Sequence, residues 1–342
     1  MRAKSFKLRL SLPQLLLLGF LLIGCAVVCA SESDAWLRPA TAPAPSENMP
    51  NAARVKLGQM LFFDPRLSRK ASMSCATCHN PSLGWSDGLP TAVGFDMQIL
   101  GRNTPTIVNT AFNTIQMWDG RKRDLEDQAT GPIAAGGEMN MPLPEMVARL
   151  QSIPGYAKFF DDAYPGQGVS DVTVARAIAS FERTVLSTES PFDRWRKGDA
   201  HAVSDDAKAG FEVFQGKAKC AVCHMGYNFT DNGFHNIGLK TPEGHDYDVG
   251  RYAQKPVKSM RGAFKTPTLR DIGLTGPYMR NGCYKTLMEV VEHYDRGGDD
   301  KDNLDLNIVP LNLSDAEKHQ LVAFLQTLDG VPMSVTVPAL PH

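Results

Sequence analysis

Two Cys-x-x-Cys-His motifs, Cys75-Ala-Thr-Cys78-His79 and Cys220-Ala-Val-Cys223-His224, contain the residues best suited to chemistry. Two thiols one helical turn apart can form thioethers to a porphyrin edge, and the adjacent histidine can then bind the iron. This spacing is the attachment pattern of a c-type haem. A zinc half-site or a redox dithiol is the alternative for one motif. Two copies that both end in histidine favour two covalent c-type haems.

The chemistry of a haem depends on its sixth coordination position, which is closed in electron carriers and open in enzymes that bind oxygen or peroxide. No histidine lies between His79 and His201. A bis-histidine first haem would therefore need its second ligand from the other half of the chain. Methionine is a possible ligand, although it more often packs in a core. The methionines in this region include Met97, Met117, Met139 and Met141.

The segment from Leu287 to Asp295 concerns the second haem. Its apolar residues are spaced i, i+3, i+4 and i+7, which predicts one buried helical face that includes Tyr294. His293 lies about 100° round the helix, and we expect it to face solvent. A buried tyrosine is usually a hydrogen-bonded packing residue, but its phenolate can also bind ferric haem iron. The pattern leaves both roles open.

The N-terminus has the pattern of a secretory signal peptide. Four basic residues precede an apolar run from Leu15 to Val28, and Val28-Cys29-Ala30 offers a small-residue cleavage site. We expect a signal peptide over 1–30, a mature chain that begins near Ser31 and a periplasmic location. Lipoprotein anchoring at Cys25 and an uncleaved anchor are the alternatives. No other stretch approaches the ~20 apolar residues that span a bilayer, so no transmembrane span is expected in the mature chain.

Charge and cysteine content limit the partners and the covalent chemistry. Without the signal, 32 basic residues would face 37 acidic ones, which argues against nucleic acid as a partner. Of the seven cysteines, two lie in the signal and four belong to the haem motifs. Only Cys283 remains, so the mature chain cannot build a disulfide framework. We expect Cys283 to be a small buried filler rather than a reactive thiol.

A weak internal repeat divides the chain into two similar halves. Lys56-x-Gly58-x-x-x-Phe62 precedes the first haem motif, and Lys208-x-Gly210-x-x-x-Phe214 precedes the second. The 342 residues are also enough for two domains of common size. Each half is therefore predicted to be a small cytochrome of the same plan.

Helical periodicity dominates the sequence, and strand-like alternation is scarce. Amphipathic stretches lie near 52–62, 171–187, 205–215, 286–295 and 314–328, and Ser314-x-x-Glu317 is a capping box for the last. Long Gly/Pro-rich connections over 80–117 and 226–270 are tolerable where covalent haem supplies the core. The expected fold is mainly α, with two cytochrome c-like haem domains.

Further short motifs lie outside the haem signatures. They are Gly101-Arg102-Asn103-Thr104-Pro105-Thr106, Trp118-Asp119-Gly120-Arg121, Leu125-Glu-Asp-Gln128, Pro132, Glu138-Met139, and Leu269-Arg270 followed by Leu274-Thr275-Gly276-Pro277-Tyr278. With the haem motifs, these residues resemble the bacterial di-haem cytochrome c peroxidases and their MauG-type relatives, from about Leu57 to Leu328.

The resemblance implies a domain plan and one calcium ion between the two haem domains. We expect a flexible segment over 31–48, an N-terminal peroxide-reacting domain over 49–190 and a C-terminal electron-transfer domain over 191–342. The last helix is a candidate to pack back on the first domain. Asn103, Thr275 and Pro277 match the calcium ligands, the last two through backbone carbonyls, and a hard ion requires such oxygen donors.

Three further residues match catalytic positions of the family. Trp118 matches a tryptophan that lies between the haems and relays electrons. Gln128 and Glu138 match polar residues of the peroxide pocket, and Glu138 is the better acid–base candidate for cleaving the O–O bond.

Two departures from the peroxidase pattern favour the MauG type. Phe95 stands where the usual peroxidase has a distal histidine, and Tyr294 stands where it has a methionine ligand. In the MauG type the first haem stays open, and the second is held by histidine and tyrosine, here His224 and Tyr294. Ala218 is a third departure, because the MauG type has a surface tryptophan there for long-range electron removal. Trp85, Trp195 and Tyr227 are the candidate substitutes.

The resemblance implies a function. A periplasmic enzyme would use hydrogen peroxide at the open haem to form a high-valent di-haem state that oxidises tryptophans of a protein partner. In methylamine utilisation this completes the tryptophan tryptophylquinone cofactor of the methylamine dehydrogenase precursor. One alternative is a di-haem cytochrome c peroxidase, fed by a small cytochrome or copper protein as electron donor. The other is a non-enzymatic electron carrier.

Overall fold

The computed structural model describes residues 35–342, which form a mainly helical structure with short 3₁₀ turns and one small β-ladder. The helices are α1 (Ala52–Phe63), α2 (Cys75–Cys78), α3 (Leu125–Ala129), α4 (Gly131–Ala134), α5 (Leu143–Gln151), α6 (Pro154–Ala163), α7 (Asp171–Glu182), α8 (Pro191–Arg196), α9 (Asp205–Gln215), α10 (Leu287–Asp295) and α11 (Asp315–Gln326). Strands β1 (Phe234–His235) and β2 (Phe264–Lys265) pair antiparallel. The mainly helical prediction is confirmed.

The N-terminal predictions lie outside the described residues. These are the signal peptide over 1–30, the cleavage near Ser31 and the lipoprotein alternative at Cys25. Within 35–342, no helix is both long enough and apolar enough to cross a membrane.

The five amphipathic stretches correspond to α1, α7, α9, α10 and α11. The predicted capping box at Ser314 and Glu317 begins α11. Helix α7 is shorter than predicted and ends at Glu182 rather than near 187. Beyond that point the backbone bonds to Asn109: its amide donates to the Val185 carbonyl (2.9 Å), and its side-chain oxygen accepts from the Ser187 amide (3.0 Å). Tertiary hydrogen bonds therefore end the helix where apolar periodicity continues.

The first buried cluster is built on the crossing of α1 and α7. A Cβ atom at Gly58 would overlap the carbonyl oxygen of Ala177, so glycine allows the two backbones to touch. One turn further on, the ring of Phe62 packs 5.2 Å from that of Phe181, centroid to centroid.

The second buried cluster repeats this arrangement with α9 and α11. A Cβ atom at Gly210 would overlap the carbonyl oxygen of Gln320, and the ring of Phe214 lies 4.9 Å from that of Phe324. The repeated Gly-x-x-x-Phe pattern thus encodes the same close helix crossing in both halves.

Helix α11 packs mainly against α9 and α10, and its packing on the first domain stays a prediction. The tail after α11 does reach the first buried cluster. Met333, Val335 and Leu340 pack against the first cluster, and the Gly155 amide donates to the His342 carbonyl (2.9 Å).

The segment predicted to be flexible is anchored over its described part. The Trp36 ring lies 5.0 Å from that of Phe229, and the Trp36 carbonyl accepts a hydrogen bond from Arg270 (2.7 Å). Asn48 is buried and donates to Glu126 (2.7 Å). Residues 36–342 form one compact unit, and the domain boundary near 190 stays a prediction.

Candidate haem sites and the residues between them

The first haem motif forms one helical turn. Ser74 and Thr77 cap α2 reciprocally, which fixes Cys75 and Cys78 on consecutive turns of the backbone. His79 follows directly, and its Nδ1–H donates to the Trp85 carbonyl (3.2 Å). Burial lowers the pKa of His79, so the ring is neutral and its other nitrogen is available to a metal.

The second motif repeats this arrangement on a 3₁₀ turn over Cys220–Val222. The Nδ1–H of His224 donates to the Phe229 carbonyl (2.8 Å), as His79 does to Trp85. Burial lowers the pKa of His224 to about 4, which again leaves a neutral ring with one free nitrogen. Both motifs are therefore preorganised as proximal haem ligands.

Each motif lines a cavity. The cavity beside His79 has a volume of about 1050 Å³, and it is walled by Cys75 and Cys78. The cavity beside His224 is smaller, about 190 Å³, and Cys220 and Cys223 lie in its wall. In each cavity the two thiols and the imidazole face one space, as covalent haem attachment requires.

The first cavity also contains the two polar residues expected for peroxide chemistry. Glu138 lies in its wall, where burial raises the pKa of the carboxyl group while Arg121 opposes that shift. Gln128, near the end of α3, lines the same cavity, and its Nε2 lies 3.9 Å from the Met117 sulfur. The fold thus brings Glu138, Gln128 and His79 into one cavity.

Trp118 lines both cavities. Its indole Nε1–H donates to the carbonyl of Asn103 (2.9 Å), and its own carbonyl accepts from the Lys265 amide (2.8 Å). The indole is therefore held in a fixed position between the two sites.

Asn103 and Pro277, two of the three predicted calcium ligands, lie close together, and the Asn103 side chain is buried. Its amide group lies 2.8 Å from the Leu89 carbonyl oxygen and 3.4 Å from that of Pro277. A half-turn of the amide would add its own oxygen to these two, giving the oxygen donors that calcium prefers. Thr275 is two residues from Pro277, and its hydroxyl donates to the Ile272 carbonyl (3.2 Å).

Tyr294, on α10, lines the second cavity together with His224. Its hydroxyl makes no hydrogen bond to any residue within 35–342. Burial raises the pKa of this phenol, so it stays neutral unless a cation stabilises the phenolate. Ferric iron in the cavity is such a cation, and the side chain therefore fits a haem-ligand role better than a hydrogen-bonded packing role.

Comparison with known proteins identifies the family to which this chain belongs. The family model for di-haem cytochrome c peroxidases matches residues 52–201. The methylamine utilization protein MauG of Methylorubrum extorquens is 50% identical over 307 residues, covering 89% of this chain and 86% of that protein. MauG of Methylophilus methylotrophus is 42% identical, covering 90% and 92%. The chain belongs to the MauG-type di-haem family.

A solved structure supports the same assignment. A MauG-like protein associated with microbial copper homeostasis superposes with a TM-score of 0.80 at 28% identity, covering 88% of this chain and 95% of that one. As a member of the MauG-type family, this protein is a di-haem peroxidase-type oxidoreductase. Membership implies two c-type haems, for which the two cavities provide the attachment residues.

Phe95 is the residue that stands where the usual peroxidase has a distal histidine. Phe95 is not among the residues that line the first cavity, and its ring instead lies 5.1 Å from the Lys70 ammonium group. Among the described residues, the cavity wall contains one histidine besides His79. This is His245, which comes from the second half of the chain, is exposed, and bonds through Nδ1 to the Glu243 carbonyl (3.1 Å).

The methionines named as possible ligands take different positions. Met139 and Met141 are buried in the first cluster, although Met139 also reaches the cavity wall. Met97 is 79% exposed and lies outside the cavity, whereas Met117 lines it. Met117 and Met139 are thus the two that approach the first haem site.

The prediction that His293 faces solvent is wrong. The residue is fully buried, its Nε2–H donates to the Ile237 carbonyl (2.9 Å), and its Nδ1 bonds to Asp299 (3.1 Å) and Tyr284 (3.0 Å). Helix α10 has the cavity on one side and, on the other, the loops that contain Ile237, Tyr284 and Asp299. It therefore buries two faces, whereas apolar periodicity reveals only one.

The prediction that Cys283 is buried is also wrong, since the residue is exposed. Gly282 before it has a positive φ of 61°, and a side chain there would overlap Pro90. The backbone of Gly282 therefore contacts Pro90 at this turn, and the side chain of Cys283 points outward.

The position that carries a surface tryptophan in MauG-type proteins is buried here. Ala218 is 5% exposed and lines the second cavity. Of the candidate substitutes, Trp85 is buried against Phe62. Trp195 and Tyr227 are only partly buried, and they are the two aromatic candidates with access to the surface.

Sequence reasoning missed two residues of the site. Tyr247 and Arg280, like Trp118, line both cavities. Tyr247 lies in a long loop with no periodicity, and no local signal marks it. Arg280 follows the Leu274–Tyr278 motif by two residues, so that motif was the available signal.

Proposed function

We propose that this protein is a periplasmic MauG-like enzyme that uses hydrogen peroxide to oxidise a protein partner. His79 would hold an open, peroxide-reacting haem, and His224 with Tyr294 would hold a six-coordinate haem. When bound, the haems supply the iron that reacts with peroxide and stores oxidising equivalents.

The unbonded hydroxyl of Tyr294 is the observation that carries this proposal. Tyr294 lines the cavity beside His224, and no protein group within 35–342 bonds its hydroxyl, so the phenol oxygen is free to bind an iron held there. A phenolate ligand stabilises the ferric and higher oxidation states, whereas the methionine of an ordinary peroxidase favours the ferrous state. The second site is therefore suited to storing an oxidising equivalent rather than to accepting electrons from a donor.

The first cavity supplies the groups for peroxide activation. The carboxylate of Glu138 can accept the proton of incoming hydrogen peroxide and return it to the departing oxygen. Gln128 can orient the peroxide by hydrogen bonding. Trp118, which lines both cavities, can pass electrons from one site to the other.

The partner we propose is the precursor of methylamine dehydrogenase, whose tryptophan tryptophylquinone would be completed by the oxidation. The support is the identity of 50% and 42% with two proteins named for methylamine utilization. Because Ala218 replaces the surface tryptophan, electrons from the partner would enter this protein through another aromatic residue, and Trp195 and Tyr227 are the candidates.

We also propose a calcium ion at Asn103, Thr275 and Pro277. The convergence of the Asn103 amide with the Leu89 and Pro277 carbonyl groups supports it. A cation there would hold the backbone that accepts the Trp118 hydrogen bond.

The decisive experiment adds hydrogen peroxide to the diferric protein without reductant and follows the near-infrared and EPR spectra. A long-lived state oxidised by two equivalents, discharged by added methylamine dehydrogenase precursor, is the expected result. Conversion to one oxidised haem with a porphyrin or protein radical would contradict the proposal.

The alternative is an ordinary di-haem cytochrome c peroxidase, a class that the matching family model includes. Rapid steady-state peroxide reduction with a reduced small cytochrome or copper protein would support it. Failure of the ferrous protein to bind carbon monoxide at either haem would instead identify an electron carrier.

A further inference from the structure

Arg280 is a buried cation without a partner. It is 8% exposed, its Nε atom is fully enclosed, and its guanidinium makes no hydrogen bond or ion pair with any residue in 35–342. A guanidinium stays protonated in proteins, so its charge cannot be removed by titration. An uncompensated buried charge costs several kcal/mol, which requires an anion that is not part of the polypeptide.

The surroundings of Arg280 explain why no carboxylate of the described residues forms an ion pair with it. Its guanidinium carbon lies 4.4 Å from the centre of the Phe264 ring, and Arg102 approaches the same ring at 5.3 Å. Asp119 and Asp248 both bond to Arg102, at 2.8 Å and 2.7 Å. The nearby acidic groups are therefore already neutralised.

The position of Arg280 is fixed by its own backbone. Its carbonyl accepts a hydrogen bond from the Asn103 amide (2.7 Å), and the preceding Tyr278 amide donates to the Tyr284 carbonyl (2.7 Å). The backbone at Arg280 is therefore held against the segment that contains Asn103, in the first half of the chain.

Arg280 lines both haem cavities, as do Trp118 and Tyr247. Of these three it is the one that carries a positive charge. Each c-type haem carries two propionate groups, which are ionised at neutral pH. We propose that Arg280 binds one propionate from each haem and is the shared anion-binding residue between the two cofactors.

The five N–H donors of a guanidinium form a planar fork that can serve two carboxylates at once. A positive charge beside each haem stabilises the ferrous over the ferric state. Arg280 therefore raises the reduction potential of both haems. This proposal requires only the two haems, and it holds whether the enzyme is MauG-like or an ordinary peroxidase.

The test measures the reduction potentials of both haems by spectroelectrochemistry in Arg280→Gln, with haem content by the pyridine haemochrome assay. We expect both haems to be harder to reduce. At a fixed potential the ferrous-to-ferric ratio should fall by about tenfold for each, or about 59 mV for a one-electron couple. A shift at one haem alone, or at neither, overturns the shared contact.

Two further variants separate charge from packing. Arg280→Lys keeps the charge but not the planar fork, so the ferrous-to-ferric ratio should fall less than in Arg280→Gln; a loss as large as that of Arg280→Gln at both haems would mean that the positive charge is not responsible, and the proposal would fail. Arg261→Gln is the matched control. Arg261 lies 4.7 Å from the Tyr247 ring and pairs with Asp302, but it lines neither cavity.

The control should leave both potentials unchanged, and a shift as large as that of Arg280→Gln would show a general charge effect and refute the proposal. If Arg280→Gln does not incorporate haem, haem content decides instead: Arg280→Lys and Arg261→Gln should both retain two haems per chain, and loss of haem in either would refute the proposal. The peroxide experiment can contradict the MauG-like function even when these potentials shift as expected. The proposed function and the Arg280 contact are therefore tested independently.

Discussion

The indole of Trp118 donates its hydrogen bond to the backbone carbonyl of Asn103 at 2.9 Å. This bond joins the aromatic residue between the two haem cavities to the residue whose side chain meets the Pro277 carbonyl. The position of a proposed electron relay is thereby coupled to the proposed calcium site. Disturbing either residue should affect the other.

Replacing Trp118 with phenylalanine should separate the two haem sites. Peroxide would still react at the first site, but the yield of the two-equivalent state should fall at least about tenfold because the relay is lost. Stopped-flow spectra after one equivalent of peroxide measure this yield. Trp195→Phe is the control, since Trp195 lines neither cavity and this assay contains no protein partner that could donate electrons through it. An unchanged yield in Trp118→Phe would rule out the relay role.

Removing calcium should loosen the same region. Dialysis against a chelator should release one calcium per chain, lower the thermal midpoint and slow transfer through Trp118, and calcium but not magnesium should restore all three. Metal analysis and thermal unfolding measure the effect. Asn103→Ala should respond to neither chelator nor calcium. A native protein that contains no calcium and gains no stability from added calcium would refute the site.

Tyr294→His should keep both haems but change the second one. Loss of the phenolate favours the ferrous state, so the ferrous-to-ferric ratio at a fixed potential should rise by at least about tenfold, and the stored oxidising state should disappear. Potentiometric titration gives the ratio. Tyr278→Phe is the control, because Tyr278 lines the same cavity. Native redox behaviour in Tyr294→His would show that tyrosine is not the ligand.

Glu138→Gln should slow the reaction with peroxide by about 100-fold or more, the usual range for a lost general base. Burial raises the pKa of Glu138, and the ionised carboxylate is the form that accepts a proton. The native rate should therefore rise with pH through that raised pKa, and the variant should lack this rise. Stopped-flow rates from pH 5 to 9 test both points. A retained pH dependence in the variant would assign it to another group.

Alanine at Gly58 or at Gly210 should destabilise the protein, because the added Cβ would force two helix backbones apart. Overpacking of this kind costs about 1–3 kcal/mol. Denaturant unfolding of each variant gives the loss. Gly101→Ala is the control, since no atom lies within 4 Å of its Cβ position. Equal stability of Gly58→Ala and Gly101→Ala would contradict the close crossing.

Local sequence determined the parts of this protein that depend on short-range geometry. Cys75, Cys78 and His79 fix a haem-attachment turn by spacing alone, and Ser314 with Glu317 fixes the start of α11. The resemblance also selected Glu138, Gln128 and Trp118, which the fold brings to the cavities.

The tertiary structure alone decided which polar groups are paired. His293 is buried because loops cover a second face of α10, and Cys283 is exposed because the chain packs through Gly282. Arg280 is unpaired because Arg102 holds the nearby carboxylates. Helical periodicity reports one contact face of one element, whereas pairing and burial depend on groups that are distant in sequence and meet only in the folded chain.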